Sequence, residues 1–291
     1  GRRVLEVGCG TGYFLERLCL AGGNTGIGFD PVYRGLRSRA AGAARFVPER
    51  FDPGREANDP DVVVSRHVIE HVPDPLGFLR SLRSAFAAGA SGRLFIETPA
   101  VEWILERTVI QDFFYEHCSY FSSGSLRRAA ELAGFDVDRV RTLFGGQYLW
   151  LEATAAGSRG PHPSRDDVDR VAALADRYGR EEARRLGAIR DRLRSLCAAG
   201  PLAVWGAGAK GVTLVNLVDP ERLLIACVVD INPNKQGCFV PGTGHEIVAP
   251  SELPGMGVRH VLAMNPTYAE ESRAEAMRLD PAPRVHVCDE I

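Results

Sequence analysis

Apolar residues in this chain fall in short runs separated by stretches of helical spacing. Residues 3–7 read as a buried strand, followed by a helix over about 12–21 and strands at 25–29 and 61–65. A helix near 76–88, a strand at 93–97, an amphipathic helix over 124–133 ended by Gly134, and a strand near 148–153 complete one unit. Short apolar runs alternating with helical periods predict βαβ units and a parallel, doubly wound sheet. Residues 157–164, rich in Gly, Pro and Ser, interrupt the pattern, and the segment 165–197, with interleaved Asp, Glu and Arg, reads as a solvated helix. From Pro201 the strand pattern resumes at 202–205, 224–229, 258–263 and 284–287, with a helix from about 210. The expectation is an α/β protein of two Rossmann-like doubly wound domains joined by a helical linker, divided as 1–156, 157–200 and 201–291.

Composition narrows the class without changing the picture. Of 291 residues, 45% are hydrophobic and 25% charged, and the formal charge is −2. This is an ordinary globular balance with no basic block, so a small-molecule partner is expected rather than nucleic acid. No apolar run reaches the roughly 18 residues of a membrane helix, and no signal-peptide pattern is visible. The seven cysteines, Cys9, Cys19, Cys118, Cys197, Cys227, Cys238 and Cys288, contain no C-x-x-C pair and read as reduced thiols of a cytoplasmic protein. No metal site is expected. Only Lys210 and Lys235 among the 35 basic residues are lysines, so each is a candidate for a task that arginine's planar fork performs differently. The chain opens inside a strand, which reads as a truncated start.

The first strand runs from Glu6 and Val7 directly into Gly8-Cys9-Gly10-Thr11-Gly12 and a helix. Such a turn lets backbone approach a ligand, and the helix N-terminus favours polar groups. About twenty residues later the second strand ends in Asp30, a carboxylate suited to ribose hydroxyls. With the later Ile69-Glu70-His71-Val72-Pro73-Asp74-Pro75, this combination resembles a class I S-adenosylmethionine-dependent methyltransferase. The resemblance implies that Glu6, Gly8, Cys9, Gly10 and Gly12 surround the cofactor, that Asp30 holds its ribose, and that the segment Ser65-Arg66-His67, with Arg66 among the cofactor residues, lies beside the sulfonium. His71 is expected to fix its loop.

The second turn, Gly206-Ala207-Gly208-Ala209-Lys210-Gly211, matches G-x-G-x-x-G and is followed by Asp230, so the residues alone also allow a dinucleotide site and an NAD-dependent oxidoreductase. Together with 230–237, Asp-Ile-Asn-Pro-Asn-Lys-Gln-Gly, and Pro241-Gly242-Thr243-Gly244, it resembles the C-terminal domain of bacterial sugar C-methyltransferases. Lys210 and Lys235 are expected either at acceptor phosphates or as ties between loops.

Residues 113–122 gather aromatics around Glu116 and His117, and in such surroundings a histidine can take a proton near neutral pH, oriented by Glu116 or Tyr115. Sugar C-methyltransferases carry a similar Tyr-x-Glu-His-x-x-Tyr-Phe-Ser segment, in which the histidine is the base. Glu116, His117, Tyr120, Phe121 and Ser122 fit, whereas the family's tyrosine falls on Phe114, with Tyr115 one place later. The family's cysteine-rich zinc-binding domain has no counterpart in this sequence. The resemblance implies methylation of carbon on a nucleotide-linked keto-deoxysugar, with His117 as base and Tyr120 at the substrate. Methylation of oxygen or nitrogen on a saccharide or other small metabolite, and a non-catalytic sugar-nucleotide binding module, are the alternatives.

Overall fold

The computed structural model describes residues 1–56, 59–87, 89–155, 165–264 and 269–287. The stretch 157–164 and Cys288 lie outside the described residues. The chain divides into two compact units, one made of Gly1–Glu106 and Tyr115–Leu174, the other of Arg107–Phe114 and Ala175–Ile291.

The first unit is built on an eight-stranded sheet. Its strands are β1 (Arg3–Val7), β2 (Thr25–Phe29), β3 (Ser38–Arg39), β4 (Ala44–Val47), β5 (Val62–Arg66), β6 (Arg93–Pro99), β7 (Asp136–Leu143) and β8 (Tyr148–Thr154), in spatial order β3-β4-β2-β1-β5-β6-β8-β7. Helices α1 (Tyr13–Gly22), α2 (Pro53–Glu56), α3 (Pro75–Ser84), α4 (Val101–Arg107) and α5 (Ser123–Leu132) occupy the crossovers. Their ends are written in the sequence. Asp74 caps α3 by accepting from Gly77 N, with Pro75 opening the helix, and Ser122 with Ser125 forms a capping box on α5. Leu79 and Leu82 of α3 and Leu126 and Ala130 of α5 pack against Val63, Leu94, Ile96 and Leu151 in the core of the sheet.

The expectation of a purely parallel sheet is corrected at its far edge. Strand β8 pairs antiparallel with both β6 and β7, so β7 runs with the parallel set and β8 against it. The cause is the connection: Phe144–Gly146 is too short for a crossover, and strands joined so tightly must reverse direction. Strands β3, β4 and β7 escaped the sequence pattern. Two residues give no period, and β7 exposes Asp138, Arg139, Arg141 and Thr142, which hides its alternation.

The second unit carries β9 (Leu202–Trp205), β10 (Ile225–Val229), β11 (Ile247–Val248), β12 (His260–Ala263) and β13 (Arg284–Val287), in order β11-β10-β9-β12-β13 and parallel throughout. Helices α7 (Ala209–Val218) and α8 (Ala269–Ala276) accompany it. The long helix α6 (Arg165–Ala199) gives its residues up to Leu174 to the first unit and the rest to the second. Segment 107–114 belongs with the second unit: Lys210 Nζ lies 2.6 Å from Asp112 Oδ2, Thr108 Oγ1 donates to Glu181 Oε2 at 3.2 Å, and the Phe113 ring meets Tyr178 edge-on. Among the described residues, no helix is long and apolar enough to cross a membrane.

Candidate active site

In an open α/β sheet the carboxyl ends of the parallel strands form the ligand edge. At this edge β1 ends in the first glycine turn. Gly8 holds φ +81°, and a Cβ there would stand 2.0 Å from Val68 Cγ2, so only glycine fits. A Cβ on Gly10 (φ +52°) would meet nothing within 4 Å, which leaves that backbone open to a ligand. Gly8 N and Cys9 N donate to Phe29 O, Gly10 N donates to Asp30 Oδ2 at 2.9 Å, and Val32 N donates to Asp30 Oδ1 at 2.9 Å. A carboxylate offers about four lone-pair positions, so Asp30 retains capacity for two hydroxyls. Glu6 is 2% exposed, its Oε2 has no hydrogen-bond partner among the described residues, and burial pushes its carboxyl up to about 7 despite the attraction of Arg66. A buried carboxylate oxygen left unpaired is costly unless a cationic or donor group meets it. Cys9 lies in the core below the turn, and burial pushes its thiol up to about 12, so it acts by shape and backbone rather than as a nucleophile.

A second cluster stands at the ends of β5 and β6. The parallel register places Arg66 opposite Glu97, and His67 follows in a left-handed conformation (φ +53°). Its Nε2 lies 2.9 Å from Glu97 Oε1 and its Nδ1 3.4 Å from Glu70 Oε1. Burial alone would lower the pKa of His67, but the hydrogen bonds to Glu70 and Glu97 win and raise it to about 9, making it an imidazolium at neutral pH. Glu97 is correspondingly held below its usual range by His67 and Arg66 against the upward push of burial. The Arg66 guanidinium also sits 4.3 Å over the Phe14 ring. Glu70 Oε2 accepts from Thr98 Oγ1 at 3.0 Å, and the Glu70 carbonyl accepts from Cys118 N and Ser119 N.

Those last two bonds bring in the aromatic segment. His71 Nδ1 is 3.1 Å from the Glu116 carbonyl, the His71 ring meets His117 edge-on at 4.8 Å, and Tyr120 lies 5.4 Å beyond. His117 has its pKa lowered, chiefly by burial, against the pull of Glu70, so its imidazole is neutral at pH 7. Two nearby histidines in opposite protonation states are the arrangement of an acid–base site. Glu70, His71 and His117 offer ligand atoms within 4.8 Å of one another. Both carboxylate oxygens of Glu70 are also engaged, by His67 and by Thr98.

The second glycine turn repeats the construction of the first with one addition. Ala207 N donates to Asp230 Oδ2 and Asn232 N to Asp230 Oδ1, as at Asp30, but Lys235 Nζ also binds Asp230 Oδ2 and the Ala207 carbonyl, each at 3.0 Å. Asp230 thus has its charge matched within the turn. Lys210, expected either at phosphates or as a tie between loops, forms an ion pair with Asp112. Both lysines tie loops.

The comparisons with known proteins fall on the same two halves. A family described as a methyltransferase domain matches residues 1–140, and one described as a C-methyltransferase C-terminal domain matches residues 168–279. The chain is an S-adenosylmethionine-dependent methyltransferase. The C-methyltransferase NovU of Streptomyces niveus is 29% identical over 290 residues, covering 93% of this chain and 68% of its own length. A tRNA U34 carboxymethyltransferase of Alcanivorax borkumensis is 39% identical over 111 residues, covering 35% of this chain and 34% of its own. A solved Burkholderia thailandensis 1,6-didemethyltoxoflavin N1-methyltransferase, with bound 1,6-didemethyltoxoflavin and S-adenosylhomocysteine, is 17% identical with a TM-score of 0.43, over 54% of this chain and 71% of that one.

The residues of this methyltransferase fit the cofactor. The unpaired Glu6 oxygen suits an ammonium group, the open backbone at Gly10 accepts a close approach, and Asp30 has acceptors to spare. Arg66 stands at the same edge but is committed to Glu97, and Tyr115, expected to orient His117, is 96% exposed. The Glu116 side chain is also exposed, and its carbonyl is what holds His71. The sequence placed the segment Ser65-Arg66-His67 beside the sulfonium, but gave His67, Glu70 and Glu97 no role of their own. The available signal was the Glu70-His71 pair just beyond a strand end, read there only as part of a family pattern.

Proposed function

We propose that this methyltransferase methylates carbon next to a ketone on a nucleotide-linked keto-deoxysugar, with His117 as the base. The observation that carries this reading is the placement of His117 beside Glu70 and His71 at the ligand edge, where burial lowers its pKa. A base must be unprotonated to accept a proton, and burial keeps it so. Glu70 fixes the segment through Cys118 N and Ser119 N and favours the imidazolium that forms once the proton has moved. His71, held by the Glu116 carbonyl, sets the wall against which the His117 ring rests. Glu6, the Gly8–Gly12 backbone and Asp30 hold the cofactor, which supplies an activated methyl group. The match of residues 168–279 and the likeness to a C-methyltransferase support carbon, not oxygen, as the acceptor atom.

The test separates base from scaffold. With S-adenosylhomocysteine bound, in D2O, the wild type is expected to exchange the proton alpha to the ketone of dTDP-4-keto-6-deoxyglucose, followed by NMR. His117→Asn is expected to slow that exchange about 100-fold or more while binding S-adenosylhomocysteine equally well. Equal exchange in the variant removes His117 as base, and a methyl group found on oxygen removes carbon methylation.

A further inference from the structure

Beside the charged cluster the ligand edge carries an aromatic pair to which no role has yet been given. The turn between β7 and β8 runs through three consecutive left-handed residues, Phe144 (φ +50°), Gly145 (φ +66°) and Gly146 (φ +98°). Glycine adopts this conformation freely, and two of the three positions use it, but the first keeps a phenylalanine. That side chain is 72% exposed. A bulky residue held in a strained backbone while showing its ring to solvent is disfavoured twice for the fold, and strained positions of this kind gather at ligand sites. The turn is also locked: a Cβ on Gly146 would stand 3.1 Å from Trp103 Cδ1, and Ala100 N donates to Gln147 O at 3.0 Å.

The placement is specific. Because β7 runs parallel to β6, the turn lies at the carboxyl ends of the parallel strands, the edge that carries the glycine turn and His67. Register puts Tyr148 opposite Pro99 at the end of β6. The Phe144 ring meets Tyr148 edge-on at 5.7 Å, and Tyr148 meets His67 edge-on at 4.9 Å. A continuous aromatic path therefore leads from solvent to the cluster that holds the base.

We propose that Phe144 and Tyr148 form an acceptor subsite that takes the C–H-rich face of a pyranose ring. This rests on the saccharide reading above. An aromatic ring offers such a face apolar contact without competing for the hydroxyls on its rim, and the charged groups nearby remain available for the ketone end. A phenylalanine at the turn, with no hydrogen-bonding atom, sorts acceptors by the shape and apolarity of that face.

The test uses the S-adenosylhomocysteine-bound protein with dTDP-glucose and UDP-glucose as probes, read by saturation-transfer NMR. In the wild type the strongest transfer is expected at ring protons of the sugar. Phe144→Gly is expected to cut that transfer and raise the probe Kd at least tenfold, with S-adenosylhomocysteine affinity unchanged and the melting temperature equal or higher. Phe144→Tyr restores the ring and is expected to restore binding to within about threefold. A purely structural phenylalanine would leave the Kd unmoved in Phe144→Gly. That result, transfer centred on the nucleobase, or failure of both probes to bind the wild type, overturns the subsite. None of these results depends on methyl transfer, so a failure of the proposed chemistry is seen separately in the exchange experiment.

Discussion

Replacing His67 by glutamine tests the charged cluster with a definite sign. The imidazole is raised from 6.5 to about 9 by Glu70 and Glu97. At 1.36 kcal/mol per pKa unit this would be about 3 kcal/mol at full strength. The His67 side chain is 40% exposed, so solvent screening reduces the expected contribution to about 1–2 kcal/mol. Between 6.5 and about 9 the folded chain binds a proton that the unfolded chain does not. The contribution is therefore complete below about pH 6.5 and is lost as pH rises through 9. Urea unfolding of wild type and His67→Gln at pH 6.5 and pH 10 measures it. The variant is expected to be less stable by about 1–2 kcal/mol at pH 6.5 and to approach the wild type at pH 10. A difference that is constant with pH, or larger at pH 10, would refute the imidazolium bridge.

Two further outcomes follow from named contacts. Gly8→Ala places a methyl group 2.0 Å from Val68 Cγ2 at φ +81°. The left-handed penalty alone is about 1–2 kcal/mol, so S-adenosylhomocysteine affinity measured by calorimetry should fall about tenfold or more; an unchanged Kd would mean that the turn does not touch the cofactor. In the second unit, fully buried His245 sits between Thr243 Oγ1 (2.8 Å) and Asp219 Oδ2 (3.2 Å), and burial lowers its pKa. Its contribution is present above the unfolded value near 6.5 and is lost as pH falls below it, so the second unit's melting temperature should decline from pH 6.5 to 5, and His245→Gln should flatten that slope; an equal slope in the variant contradicts the assignment.

What could be read from the sequence was local. The glycine turn, Asp30 and the segment holding His117 each sit in one stretch whose spacing carries meaning, and five of the strands of the first sheet and four of the second showed as apolar runs. What could not be read depends on register. Glu97 becomes a partner of His67 only because β5 and β6 lie side by side with Arg66 opposite Glu97, although thirty residues separate them in the chain. The glycine turn at Gly206 allowed a dinucleotide site by its motif, yet Lys235 closes on Asp230 in space and matches its charge, which the motif does not encode. Strand β8 reversed because of a three-residue turn, and the left-handed Phe144 in that turn has no sequence signature.

The central claim is that the first glycine turn, not the second, holds S-adenosylmethionine. Calorimetric titration with S-adenosylhomocysteine of wild type, Asp30→Ala and Asp230→Ala tests it most directly. The expected result is micromolar binding of about −8 kcal/mol in the wild type, retained in Asp230→Ala and lost in Asp30→Ala. Binding that survives in Asp30→Ala and disappears in Asp230→Ala would contradict it.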